Sequence, residues 1–250
     1  MSFRYPWAEW VPWLSPEPGT GRPTYWAGQR RTPIAAVLHI MQGYGETARS
    51  WANNGHFGAS WDFTIYRTGH ILQHLEIEDG GYQAGVVNDP TWLLYQGGNP
   101  NLYTIGIEHE GFSGEPFTEL QAASSRMLCM WLAQYFGWAW DIDHFPAHAF
   151  IDARNRPNDF NVPALRDAHY GYMFQEMVDV PTQEQWNDLL IRLFAGSERG
   201  DISDAERLAL ADNELARARN VQSVSDVASS SVTVALDHHH DGPTSKAVYP

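Results

Sequence analysis

Separated apolar runs in this chain end on side chains able to bind a metal. Ile34–Leu38 is closed by His39, and Thr104-Ile-Gly-Ile-Glu-His-Glu-Gly111 carries two carboxylates and a histidine behind its apolar start. Further along, Phe145-Pro-Ala147 leads to His148, and Arg156-Pro-Asn-Asp159 offers another carboxylate. Zinc sites that perform hydrolysis take three protein ligands, mostly His with carboxylate or Cys, and keep a fourth position for water. A chain patterned this way must bring the ends of distant segments together if they are to share an ion.

The runs themselves read as strands. Ile34–Ile40, Ser60–Tyr66, His70–Ile77 and Tyr103–Glu108 have β-branched, aromatic and alternating character, with Arg67-Thr-Gly69 as a hairpin turn. A short helix is expected over Glu46–Asn53. Thr118-Glu-Leu-Gln121 is a capping box, after which Leu120, Met127, Trp131 and Tyr135 recur at helical spacing up to Gly137. That stripe is expected to pack on the sheet as core. The fold class is therefore α/β, a central mixed β-sheet flanked by helices, followed by a C-terminal helical extension.

Composition narrows the classes of function. A formal net charge of -14 opposes nucleic acid as a partner, because phosphates are met by clusters of Lys and Arg. It also opposes simple electrostatic adhesion to anionic polymers. The single cysteine, Cys129, excludes an intramolecular disulfide, so the fold does not depend on an oxidising compartment. No stretch has the length of a membrane span, and the N-terminus lacks the apolar run of a signal peptide. Synthesis in the cytoplasm without a signal peptide is the expectation.

Beyond these arguments, the chain over residues 30–165 resembles the zinc-dependent N-acetylmuramoyl-L-alanine amidase family. That family includes phage lysins, cell-wall amidases and peptidoglycan-recognition proteins. The resemblance rests on Val37-Leu38-His39, the hairpin from Ser60 to Gln73, Tyr82-Gln-Ala-Gly85, Asn101-Leu-Tyr-Thr-Ile-Gly-Ile-Glu108, and His148 with its trailing Asp159. It implies a zinc cofactor held by His39, His148 and Asp159, and peptidoglycan as substrate. The bond cut would be the amide between the lactyl group of N-acetylmuramic acid and L-alanine. A phage lysin or injection-associated enzyme acting on the bacterial cell wall after release or delivery is the expected setting.

Roles follow for individual residues. In a strand Glu108 and Glu110 point one way and His109 the other, so only one set can face a given site. The resemblance selects Glu108 as the group that handles protons, with Glu110 behind it. Arg156 matches a basic position that can polarise a substrate carbonyl; the alternative is a solvated surface charge. Trp61 stands where relatives carry a Tyr that donates a hydrogen bond near the metal, and its indole N–H is the corresponding donor. Asp62 and Gln83 stand where relatives commonly carry His, and are expected to alter the groove and not the metal. Asn158 competes with Asp159 for the third ligand position, depending on the spacer length, and Asp152 is an outside candidate. For His39 and His148 the alternative is a satisfied core histidine.

The expected organisation is an aromatic, Pro-rich arm over residues 1–29, a catalytic domain over 30–165, a helical extension over 166–220, and a low-complexity tail over 221–250. Trp7, Trp10 and Trp13 in the arm either pack against the domain or stack on glycan rings. In the extension, Trp186, Leu189, Leu190, Leu193 and Phe194 form an apolar stripe expected to contact a second copy of the chain or a protein partner. A zinc-free peptidoglycan-binding protein of the same fold is the rival reading.

Overall fold

The computed structural model describes residues 4–56 and 58–175. The expectations for the apolar stripe at 186–194, for the helical extension beyond residue 175 and for the tail lie outside the described residues.

The elements run β1 (Glu9–Trp10), β2 (Ala35–Ile40), α1 (Gly45–Asn54), β3 (Phe63–Ile65), β4 (Ile71–Gln73), β5 (Thr104–His109), α2 (Glu119–Phe136) and α3 (Pro163–Met173). They build a mixed five-stranded sheet in the order β1-β4-β3-β5-β2. Strands β2 and β3 flank β5 in parallel, whereas β3 and β4 form an antiparallel hairpin. The hairpin turn falls at Arg67–Gly69, where Gly69 adopts φ 82 and donates its N–H to the Tyr66 carbonyl. No helix among the described residues is long and apolar enough to cross a membrane.

Alternation along the strands divides the sheet into two faces. Ala36, Leu38, Phe63, Ile65, Ile105 and Ile107 join Leu128, Leu132, Phe145, Phe160, Tyr170 and Met173 in the larger core, under α2 and α3. Tyr170 and Met173 extend that core past the expected boundary at residue 165. The opposite face carries His39, Thr64 and Glu108, bordered by Val11, Trp13, Ala48, Ala52 and Trp61 on one side and Val37, Trp92, Tyr103 and Ile151 on the other.

Two details differ from the sequence-based expectation. The buried face of α2 is Gln121, Ser125, Leu128, Cys129 and Leu132, while Tyr135 of the Met and aromatic stripe is 58 % exposed. Small Ser125 and Cys129 let the helix approach the sheet, and hydrophobicity alone does not mark such residues as inward. Thr118 caps the helix by accepting from the Gln121 N–H, yet the Gln121 side chain does not return the bond. It donates instead to the carbonyls of Ile65 and Glu110, closing the ends of β3 and β5.

The arm is part of the sheet. β1 pairs in parallel with β4, and Val11 and Trp13 continue the pairing by donating to the carbonyls of Gln73 and His74. Tyr5 and Trp13 are buried, and Trp13 packs edge-on against Trp61 with ring centroids 4.9 Å apart. Trp13 therefore packs against the domain, as one of the two readings of the arm expected.

Candidate metal centre

The parallel pairing of β2 with β5 sets His39 directly opposite Glu108, near the C-terminal ends of both strands. Beyond β2 the chain returns as a further extended segment. Ala36 and Leu38 donate to the carbonyls of His144 and Pro146, and Leu38 bridges to Ala147, which places His148 beside His39. The two rings lie with centroids 4.6 Å apart.

Asp159 completes the group. Its Oδ1 accepts from the backbone N–H of Ile40 at 3.1 Å and of Phe160 at 2.8 Å. Its Oδ2 lies 2.7 Å from His148 Nδ1 and 3.5 Å from His39 Nδ1. The chain reaches this position through consecutive left-handed residues, Phe160 at φ 61 and Asn161 at φ 77. Such a conformation is costly for an aromatic residue and persists where surroundings over-determine it. Here Phe160 is fully buried among His109, Phe117 and Tyr170, and Asn161 accepts from the N–H of Gly114. Asn158, by contrast, is exposed, so Asp159 and not Asn158 meets the histidines.

His39, His148 and Asp159 each offer one ligand atom, and these atoms lie within 4.8 Å of one another. Two imidazoles and a carboxylate are the donor set of a hydrolytic zinc site. The electrostatics favour a cation there. Burial opposes ionisation of Asp159, yet His39 and His148 outweigh it and hold the carboxyl well below its usual range. Burial alone would depress His39, but Glu108 and Asp159 raise it above its ordinary value. His148 moves the other way, lowered first by burial. The residues present therefore fit a divalent metal with Nδ1 of both rings turned toward it.

Glu108 borders the cluster, with Oε1 4.0 Å from His39 Nδ1 and a buried Oε2 that meets no hydrogen-bond partner among the described residues. Burial raises its pKa to about 7, with His39 opposing the shift. Glu108, Asp159 and Arg156 line a cavity of about 250 Å³ whose other walls include Met41, Gln42, Trp51 and Trp61. Arg156 is 60 % exposed at the rim, with Nη1 3.6 Å from Asp159 Oδ2.

Trp61 requires a correction. Its ring lines the cavity, but its N–H donates to Thr64 Oγ1 at 2.8 Å and is not free to donate toward the metal. Thr64 in turn meets His74 Nε2 at 2.9 Å, and His74 Nδ1 meets the Val11 carbonyl at 2.8 Å. Gln83 was expected to shape the groove; instead its Oε1 lies 2.6 Å from His39 Nε2. Asp62 forms a buried bidentate pair with Arg30 and accepts from the Gly106 N–H. Glu110 accepts from the Arg67 N–H, and His109 is buried on the other face against Ser125. Asp152 sits apart, accepting from Asn88 and Asn155.

The sequence profile described as N-acetylmuramoyl-L-alanine amidase matches residues 29–160. No curated protein matches the sequence. Among solved structures, a selenomethionine derivative of AmpD is 21% identical with a TM-score of 0.50, over 68% of this chain and 96% of that one. The catalytic domain of XlyA is 20% identical, TM-score 0.47, over 66% of this chain and 97% of its own. A mutant endolysin from Bacillus subtilis is 19% identical, TM-score 0.46, over 66% of this chain and 99% of its own. At 21% identity the likeness to AmpD is one of fold.

Proposed function

The chain belongs to the N-acetylmuramoyl-L-alanine amidase family, and from that membership we infer that it is a zinc-dependent amidase that cuts the bond between N-acetylmuramic acid and L-alanine in peptidoglycan. The observation that carries the metal assignment is the convergence of His39, His148 and Asp159 beside the buried carboxyl of Glu108. The zinc-free binding protein is disfavoured because a third ligand is present in the cluster.

Bound zinc would polarise the scissile carbonyl and lower the pKa of water. Glu108 supplies the proton chemistry. Burial raises the Glu108 carboxyl above the ordinary carboxylate range, so it can accept a proton early in amide cleavage and hold one for the departing amine. Its Oε2, with no hydrogen-bond partner among the described residues, is the atom placed to do so. Arg156 at the rim is positioned to neutralise charge that develops on the substrate oxygen. Trp51 and Trp61 wall the cavity. The action on intact wall as a phage-type lysin rests on the shared motifs.

The test is to assay purified chain for release of L-alanine-terminated stem peptide from muramoyl-peptide and from purified wall, with zinc content measured on the same sample. Hydrolysis together with about one tightly held zinc per chain is expected. Wall binding without hydrolysis and without zinc would replace this reading by the binding protein.

A further inference from the structure

We propose that Gln83 is a positioning residue for the metal site: its amide oxygen holds the His39 ring as the Nε2–H tautomer and so presents the Nδ1 lone pair to the ion. The proposal rests on the zinc reading above and goes beyond it by saying what selects the ligating nitrogen.

The directions of a short hydrogen-bond chain carry the argument. Thr104 Oγ1 donates its single proton to the Pro100 carbonyl at 2.8 Å. Its lone pairs then accept from Gln83 Nε2 at 3.0 Å, which turns the other end of the amide, Oε1, toward His39. At 2.6 Å from Oε1, His39 Nε2 must be the protonated nitrogen, because an amide oxygen can only accept. Neutral imidazole carries one proton, so Nδ1 is left with its lone pair, and Nδ1 is the atom that faces Asp159 Oδ2.

The backbone around Gln83 is built to hold that amide. Asn101 Oδ1 accepts from the N–H of Gln83 at 3.1 Å and of Ala84 at 2.6 Å, fixing the turn. A Cβ at Gly106 would come within 2.7 Å of Gln83 Cγ, and a Cβ at Gly85 within 2.8 Å of Asn101 Nδ2. The glycines of two separate motifs thus leave the space that this side chain and its support occupy. Partners of this kind that orient a metal-bound histidine are typically worth 10- to 100-fold in metal affinity.

The experiment uses the full chain, with Gln83→Met, which keeps bulk but offers no comparable acceptor, and Gln83→Glu, which keeps the acceptor. Zinc affinity is measured by competition with a chromophoric chelator, and the His39 tautomer by ¹⁵N imidazole resonances of the metal-free protein at alkaline pH, where the ring is neutral, assigned with His39→Gln. Expected are an Nε2–H tautomer in the wild type, roughly 10- to 100-fold weaker zinc binding in Gln83→Met with a mixed tautomer, and recovery in Gln83→Glu. An Nδ1–H tautomer in the wild type overturns the proposal, and this reading needs no variant to fold. So does a folded Gln83→Met that keeps both the tautomer and the affinity while the wild type binds zinc. A wild-type chain that takes no zinc overturns the zinc reading itself, and the proposal falls with it.

Discussion

Two buried polar clusters sit on the same face of the sheet, one around Thr64 of β3 and one around its register partner Glu108 of β5, yet they end differently. In one, Trp61 donates to Thr64, Thr64 meets His74, and His74 meets the Val11 carbonyl. Each donor finds an acceptor and the chain of bonds closes on the backbone of the arm. In the other, His39, His148, Asp159 and Glu108 converge, and Glu108 Oε2 finds no hydrogen-bond partner among the described residues. A buried polar atom without a partner costs about 1–3 kcal/mol, so an open cluster has to be offset by the packing around it. The closed cluster ties the arm to the sheet; the open one faces the cavity and can take a ligand.

The sharpest way to break this contrast is to remove a residue from each cluster. His39→Ala or His148→Ala should abolish hydrolysis and lower zinc occupancy, because two protein ligands make an incomplete site. Metal analysis and a muramoyl-peptide assay on the same sample check this, and full activity with full zinc in either variant would sink the assignment. Glu108→Gln should retain zinc and fold and lose roughly 10²-fold or more in turnover, the scale of a positioned acid or base. Loss of the metal in that variant would make Glu108 a ligand.

The closed cluster should respond to acid. Burial lowers the His74 pKa from 6.5 to about 4, so between those values the folded chain binds fewer protons than the unfolded one. Its contribution is therefore intact above about pH 6.5 and declines as pH falls toward 4, by about 3 kcal/mol in all at 1.4 kcal/mol per unit. Urea unfolding with a chelator present should show the stability gap between wild type and His74→Gln narrowing from pH 7 to pH 5. A constant gap would mean that His74 is not held neutral. The smallest effect is expected for Trp61→Phe, which removes one donor from the closed cluster. It should cost about 1 kcal/mol of stability and leave turnover within a few-fold of wild type. A collapse of turnover at unchanged stability would restore Trp61 to catalysis.

Much of this is legible in the sequence. The strand periods placed β2, β3, β4 and β5, and parity along β5 separated Glu108 from His109 correctly. The ordered motifs singled out the histidines and the acidic residue that the fold brings together. The burial of α2 was misjudged because Ser125 and Cys129 face inward on account of size and not of hydrophobicity. Strand β1 was missed because an edge strand of this length, Glu9–Trp10, carries no period. The roles of Gln83 and Trp61 are not legible in the sequence for a common reason: which partner a side-chain donor or acceptor meets is set by whichever lies nearest in space.

The sequence by itself determined the alternation that separates the two faces of the sheet, since side-chain direction along a strand follows from local backbone geometry. It also determined the chemical types gathered at the strand ends. Only the tertiary structure decided between Asp159 and Asn158, through the left-handed turn at Phe160 and Asn161 that inserts one carboxylate beneath His148. It alone directed the Trp61 N–H to Thr64 and the Gln83 oxygen to His39. Hydrogen bonds are short and directional, so which of them form depends on positions contributed by segments far apart in the chain, and no local pattern encodes those positions.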